Sequence, residues 1–198
     1  MIQLPPPKAH GALSVEEALR KRRSVREYTD QALSLAEVSQ LLWAGYGITS
    51  RPEGFRTAPS ARALYPLELY LAAGQVSGLP ASVYRYVAET HALEPVRDGD
   101  VRQELAAATF GQAFVAHAAA IVSFAAVYDR TREAFGDDGK DYVHMDLGHA
   151  GENVHLQATA LDLGTVVVAA LRRDGVREAL GLPEDQVPLY LMPIGHME

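Results

Sequence analysis

The spacing of apolar and polar positions changes several times along the chain, and each change marks an element. Ser14-Val-Glu-Glu17 has the form of a capping box, which predicts a helix from Val15 to Arg22 behind a proline-rich arm. A second box, Ser34-Leu-Ala-Glu37, predicts a helix to about Ala44, stopped by Gly45 and Gly47. Residues 48–64 lack periodicity and read as a loop. Leu67–Ala73 reads as a strand, and Val83–Val87 with Ala92–Val96 as a hairpin around Glu89-Thr90-His91. Asp98 is placed to cap a helix running to about Ala108, and Gly111 breaks that pattern. The continuous apolar run Ala119–Val127 favours a buried strand through its β-branched content. From Asp141 to Leu163 the apolar residues Val143, Leu147, Val154, Leu156, Ala160 and Leu163 follow helical spacing, ending at Gly164. Thr165–Leu171 then reads as a strand, Asp174 as the cap of a short helix ending at Gly181, and Val187–Ile194 as a last strand.

Helices and strands are interspersed, with no repeat, low-complexity tract or linker. Only some connections are long enough for parallel pairing. The expectation is one α+β domain over residues 1–198, with a mixed or antiparallel central sheet flanked by helices. A chain of 198 residues that is 48% hydrophobic and 22% charged can build its own core. Its formal charge of -7 argues against nucleic acid or an anionic membrane as a general partner. The absence of cysteine excludes disulfides, thiolate metal sites and thiol redox chemistry, and fits a reducing cytoplasm. No apolar run reaches the roughly 18 residues of a membrane helix, and the N-terminus has no apolar signal core. The expected setting is therefore cytoplasmic.

Against that acidic background, Lys21-Arg-Arg-Ser-Val-Arg-Glu-Tyr28 gathers four cations. One reading is a helix C-terminus whose basic side chains complement the macrodipole; the other is a local anion site. Elsewhere the chemistry-bearing signals are weak. Gly45-Tyr-Gly47 follows a helix, so the strand context of a dinucleotide loop is missing. His149 and Glu152 share a helix face, but further metal ligands are not identifiable. Ser60 has no evident base and reads as a loop hydrogen-bonder. No metal is expected.

Four segments bear on the two readings of the cluster. Arg22-Arg-Ser-Val-Arg26 followed by an aromatic resembles the opening motif of the nitroreductase family. APSARALYPLELYLA (Ala58–Ala72) resembles that family's Pro-Ser-(Ala/Ser)-Gly loop, with a Leu-Tyr-Pro-Leu-Glu continuation similar to its azoline-dehydrogenase branch. GHAGENVHLQATALDLGTVVVAA (Gly148–Ala170) is similar to the family's Gly-His-Ala-x-Gln-Asn helix and following strand, and LYLMPIG (Leu189–Gly195) to its terminal strand. The resemblance implies an intertwined homodimer that holds FMN at its interface. It also implies ping-pong transfer from NAD(P)H to a small organic acceptor such as a quinone or nitroaromatic. Arg22 and Ser24 would hold the FMN phosphate, Arg23 would lie along the cofactor tail, and Arg26 would sit by N1 and O2 of the ring and tune it. Pro59, Ser60 and Ala61 would contact the flavin from the partner subunit, with Arg62 beside them. Val168, Ala169 and Ala170 would face the ring near N5. These roles suit the chemistry: an arginine fork with a hydroxyl holds phosphate, and a cation stabilises charge on a reduced ring.

The chain departs from the family at several positions. Arg62 stands where glycine is usual, Ala63 where a flavin-bonding asparagine is frequent, and Glu152 where glutamine precedes Asn153. No basic residue follows Gly195, and the Lys-Tyr dipeptide of azoline dehydrogenases is replaced by nothing nearer than Lys140-Asp-Tyr142. These departures leave a second functional expectation, a non-catalytic flavin-binding or scaffold subunit of a peptide-modifying assembly.

Overall fold

A computed structural model of the chain describes residues 1–198. The strands are β1 (Ile2–Gln3), β2 (Leu33–Ser34), β3 (Ile48–Ser50), β4 (Phe55–Arg56), β5 (Leu67–Ala73), β6 (Val76–Ser77), β7 (Ser82–Val87), β8 (Ala92–Asp98), β9 (Ala120–Ala126), β10 (Leu163–Thr165) and β11 (Val187–His196). The helices are α1 (Val15–Lys21), α2 (Leu35–Tyr46), α3 (Arg102–Ala108), α4 (Ala113–His117), α5 (Asp129–Phe135), α6 (Gly139–Ala160) and α7 (Arg173–Leu180). One seven-stranded sheet in the order β1-β8-β7-β5-β9-β11-β10 organises the chain. Every pair in it is antiparallel. Parallel pairing is confined to the two-residue ribbon β2–β6 and to a bridge between Ser24 and Thr165. The chain is thus α+β with an antiparallel central sheet.

The central strands read as unbroken apolar runs because both faces of the sheet are covered. Along β9, Ala120, Val122, Phe124 and Ala126 face the larger core with α2 and α6, whereas Ile121 and Ala125 face a second core with α3 and α7. β5 divides in the same way, Leu67, Leu69 and Leu71 to one side and Tyr70 and Ala72 to the other. Helix α6 lays Val143, Leu147, Ala150, Val154 and Ala158 on the first core. Tyr190 of β11 fastens it there, its hydroxyl donating to the Leu147 carbonyl at 2.6 Å. No helix is long and apolar enough to cross a membrane.

Local chemistry explains the boundaries. Ser34 and Glu37 form the complete capping box, the Ser34 Oγ accepting from the Glu37 amide and the Glu37 carboxylate from the Ser34 amide at 2.7 Å. Ser14 caps α1 through its Oγ alone. Gly45 does not stop α2. It lies inside the helix, where a Cβ would stand 3.0 Å from Val154 Cγ2 and 3.2 Å from Leu69 Cδ2, so its role is close approach to α6 and the sheet. Asp98 does not cap α3. It ends β8, and Asp100 instead accepts from the amide and guanidinium of Arg102 at the helix start. Asp174 is likewise inside the first turn of α7, behind Arg172 at the cap position. The loop 48–64 contains the β3–β4 ribbon and one 3-10 turn at Ala61–Ala63. The strand expected over Thr165–Leu171 is only β10. Beyond Thr165 the chain leaves the sheet and touches it again through the single bridge Val168–Leu191.

Candidate functional site

The segment after α1 runs along the edge of the sheet. Ser24 bridges Thr165, and the Val25 amide donates to the Thr165 carbonyl at 2.9 Å. Gly164 permits this approach, since a Cβ there would lie 2.6 Å from Val25 Cγ1. Tyr28 closes the segment by donating its hydroxyl to the Val25 carbonyl at 2.9 Å and to that of Pro193 at 3.2 Å. Val25 is thereby turned inward, while Arg23, Ser24 and Arg26 are exposed.

The arginines have different surroundings. Arg23 folds back on the helix end, Nη1 donating to the carbonyls of Arg20 at 3.1 Å and Arg22 at 2.7 Å. This is the contact expected of a cation at a helix C-terminus. Arg22 is half-buried, its Nε 3.9 Å from Glu152 Oε1 on α6. Beneath it lies His155, which is buried with an unpartnered Nδ1. Burial first, and the Arg22 charge second, hold the His155 pKa down to about 4. Arg26 has no carboxylate partner and stands with its guanidinium 5.8 Å from the Phe114 ring centroid.

Pro59, Ser60, Ala61 and Arg62 lie on a loop held at several points. The Thr57 amide donates to the Gly47 carbonyl, and Asn153 of α6 donates to the Thr57 carbonyl at 3.2 Å. Ser60 Oγ accepts from the Tyr65 amide at 2.9 Å. Arg62, Ala63 and Tyr65 have φ of 52°, 54° and 46°, a region that favours glycine. Arg62 therefore stands where the backbone suits glycine. Its guanidinium lies 5.9 Å from the Phe135 ring. Arg130 anchors the far end of the loop, donating from Nη1 to the Tyr65 carbonyl at 3.0 Å. Under the loop is Asp146 of α6, 3% exposed and with an unpartnered Oδ2. Burial raises its pKa, opposed in order by the Ser60 hydroxyl, the charge of His149 and the Ala61 amide.

Val168 exchanges backbone hydrogen bonds with Leu191 at 2.8 and 3.0 Å. Ala169 and Ala170 are exposed, and their amides make no hydrogen bond within the chain. The Ser24–Thr165 pairing therefore ties the cationic segment to the strand exit that carries these two free donors. Helix α6 joins the rest, Glu152 and His155 meeting Arg22 while Asp146 and Asn153 meet the loop. Between α1, α2 and α6 opens a cavity of about 380 Å³, floored by Trp43 and Leu156 and edged by Thr57 and Asn153. None of the sequence-predicted site residues lines it. Sequence reasoning missed Asp146, His155 and Phe114. The signal for the first two is a titratable side chain on the buried stripe of a long amphipathic helix. Nothing in the sequence points to Phe114.

A single sequence profile, described as the Nitroreductase family, matches residues 19–196. The chain belongs to the nitroreductase family. It is 46% identical over 183 residues to a Methanocaldococcus jannaschii protein named as a nitroreductase, covering 92% of this chain and 91% of that one. An NADPH-flavin oxidoreductase of Vibrio harveyi is 34% identical over 109 residues, 51% of this chain and 45% of its own length. Among solved structures, a Ralstonia eutropha protein described as a nitroreductase superposes with a TM-score of 0.87 at 32% identity, over all of this chain and 89% of that one. A chain of the Escherichia coli microcin synthetase McbBCD complex, solved with truncated pro-MccB17 bound, has the same fold. Its TM-score is 0.77 at 20% identity, over all of this chain and 78% of that one. As a nitroreductase-family chain it is an oxidoreductase by kinship.

Proposed function

We propose that the protein is an FMN-dependent NAD(P)H oxidoreductase acting as a homodimer on a small organic acceptor such as a quinone or nitroaromatic. The carrying observation is the Ser24–Thr165 pairing, which fixes an arginine-hydroxyl cluster relative to the free amides of Ala169 and Ala170. That arrangement fits a flavin mononucleotide, whose phosphate needs cations and hydroxyls and whose ring needs donors along one edge. Arg22 and Ser24 would hold the phosphate, with Arg23 flanking the tail from the helix end. Arg26 would stabilise negative charge at N1 and O2. The free amides of Ala169 and Ala170 would present donors to the ring, beside Val168, whose backbone is fixed by its bonds to Leu191. Pro59, Ser60, Ala61 and Arg62 would cover the ring of the partner subunit's site. Bound FMN would supply two-electron transfer, taking electrons from NAD(P)H and passing them to the acceptor in separate half-reactions. The kinship with an NADPH-flavin oxidoreductase supports the donor and cofactor.

The visible spectrum of the purified protein tests this. Flavin bands, FMN released on denaturation and bleaching by NADH or NADPH are expected. Protein that is colourless and takes up no added FMN would end the proposal. A second reading, a scaffold subunit of a peptide-modifying assembly, draws support from the fold shared with the microcin synthetase chain. It predicts bound flavin that neither nucleotide bleaches.

A further inference from the structure

A second cavity, of about 400 Å³, opens on the side of the sheet where β9 ends and β11 begins. Its wall is built by Tyr128 just after β9, Arg132 of α5, Gly136 and Asp137 of the α5–α6 turn, Lys140 of α6 and Arg173 of α7. Three cations converge there from three helices against one lining carboxylate, in a chain whose net charge is -7. Lys140 and Arg173 make no ion pair, and Arg132 approaches Asp137 only at 4.0 Å. The neighbouring acids Glu133, Asp138 and Asp141 do not line the cavity. Tyr128 also lines this space. Burial raises the Tyr128 phenol pKa and the Arg173 charge opposes that rise, so guanidinium and phenol share one environment. The phenol is held by a 2.8 Å hydrogen bond with His144 Nε2.

We propose that this cavity binds a phosphate-ester anion, of the class carried by a nicotinamide dinucleotide. Arginine and lysine free of ion pairs, converging on one cavity, form the donor set that recognises phosphate. The volume falls in the range of small-ligand sites, about 300–1,000 Å³. The position suits a donor approaching the proposed flavin face, because Arg173 follows Ala170 by three residues and lies within about 11 Å of it by chain length. Assigning the phosphate to the electron donor rests on the flavin reading above; the anion site itself does not. Two phosphates of such a donor share this chemistry, the pyrophosphate of both NADH and NADPH and the 2′-phosphate of NADPH alone.

Calorimetric titration of the full-length protein as isolated, its flavin content read from absorbance, tests the site. The probes are inorganic pyrophosphate, ADP and 2′,5′-ADP, applied to the natural protein and to Arg173→Ala, Arg173→Lys, Lys140→Ala and Arg22→Ala. Arg173→Ala is expected to weaken binding by roughly 10-fold or more, Lys140→Ala by less, and Arg173→Lys to retain part of the affinity. In flavin-loaded protein Arg22→Ala should leave probe binding unchanged. Tighter binding of 2′,5′-ADP than of ADP identifies the 2′-phosphate as the recognised group; tighter binding of ADP and inorganic pyrophosphate than of 2′,5′-ADP identifies the pyrophosphate. Affinity for all three probes that is absent, indifferent to Arg173, or lost with Arg22 instead would overturn the proposal. Protein that holds no flavin and takes up no added FMN, yet whose probe binding still depends on Arg173, would sink the flavin reading and leave the anion site standing.

Discussion

Arg22 and His155 meet where the end of α1 crosses α6, and the pair makes two measurable claims. If Arg22 holds a phosphate, Arg22→Ala removes charge-assisted hydrogen bonds of about 1.5–3 kcal/mol, or roughly 10- to 150-fold in FMN affinity. Arg26→Leu should act differently. Losing about 1–3 kcal/mol of preference for a reduced anionic ring lowers a two-electron potential by roughly 20–60 mV. Fluorescence titration with FMN and potentiometry on both variants distinguish these effects from a helix-end role, which predicts only about 0.3–1 kcal/mol of stability for each arginine. The second claim concerns pH. His155 is neutral in the folded protein, its pKa held near 4 against 6.5 when free. The stability this neutrality contributes is present above pH 6.5 and is lost as pH falls from 6.5 towards 4, by about 3 kcal/mol in all. Asp146 works in the opposite sense, because its raised pKa favours the protonated form in the fold and so relieves strain as pH falls. Urea unfolding across pH 4–7 should therefore show an acid loss that shrinks in His155→Gln. An identical pH profile in that variant would show that His155 is not the group responsible. Anion binding at Arg22 should also raise the His155 pKa, since the Arg22 charge is the second cause of its depression.

At the scale of elements, the loop from Ala58 to Pro66 carries the clearest conflict between residue and backbone. Arg62 adopts φ of 52° without the freedom of glycine, at a cost of about 1–2 kcal/mol. Arg62→Gly should recover about 0.5–1 kcal/mol after the entropy of glycine is subtracted. It should also shift preference from anionic towards neutral acceptors while FMN content stays constant. Thermal unfolding and paired acceptor assays read the two effects separately, and unchanged acceptor kinetics would confine Arg62 to a structural part. The resemblance at Ala58–Ala72 marked this loop, and the substituted glycine at position 62 anticipated its backbone. The Ser34–Glu37 capping box, the Ser14 half of the first one and the apolar runs were equally legible because they are local signals. Gly45 was misread because a helix-internal glycine and a helix-stopping one look alike until the partner atoms of Val154 and Leu69 are in place. The strand over Thr165–Leu171 was overcalled because β-branched residues mark extended chain whether or not a neighbouring strand pairs with it. The cation-lined cavity was invisible because Lys140 and Arg173 belong to helices on opposite faces of the sheet and meet only at the end where β11 begins.

For the whole molecule, the distribution of exposed apolar side chains argues for a second copy. Val15 and Leu19 on α1 are 66% and 57% exposed, and Met145 on α6 is 57% exposed. Val15 and Leu19 lie four residues apart on one helix, so they share a face. Their helix ends at the arginine cluster, and Met145 precedes Asp146 beneath the Ser60 loop. The uncovered apolar surface is thus next to the two groups of residues proposed to build one flavin site from two subunits. An interface there would bury the apolar face and bring the partner's loop over the cofactor together, so association and FMN binding should be coupled. Leu19→Asp places a charge in such an interface and is expected to shift the protein towards monomer and to lower FMN affinity at least tenfold, with Arg22 and Ser24 untouched. Sedimentation velocity at micromolar concentration, run with and without FMN, measures both. A natural protein that sediments as a folded monomer and still binds FMN would remove the shared site. A Leu19→Asp variant that remains dimeric would place the interface on another face.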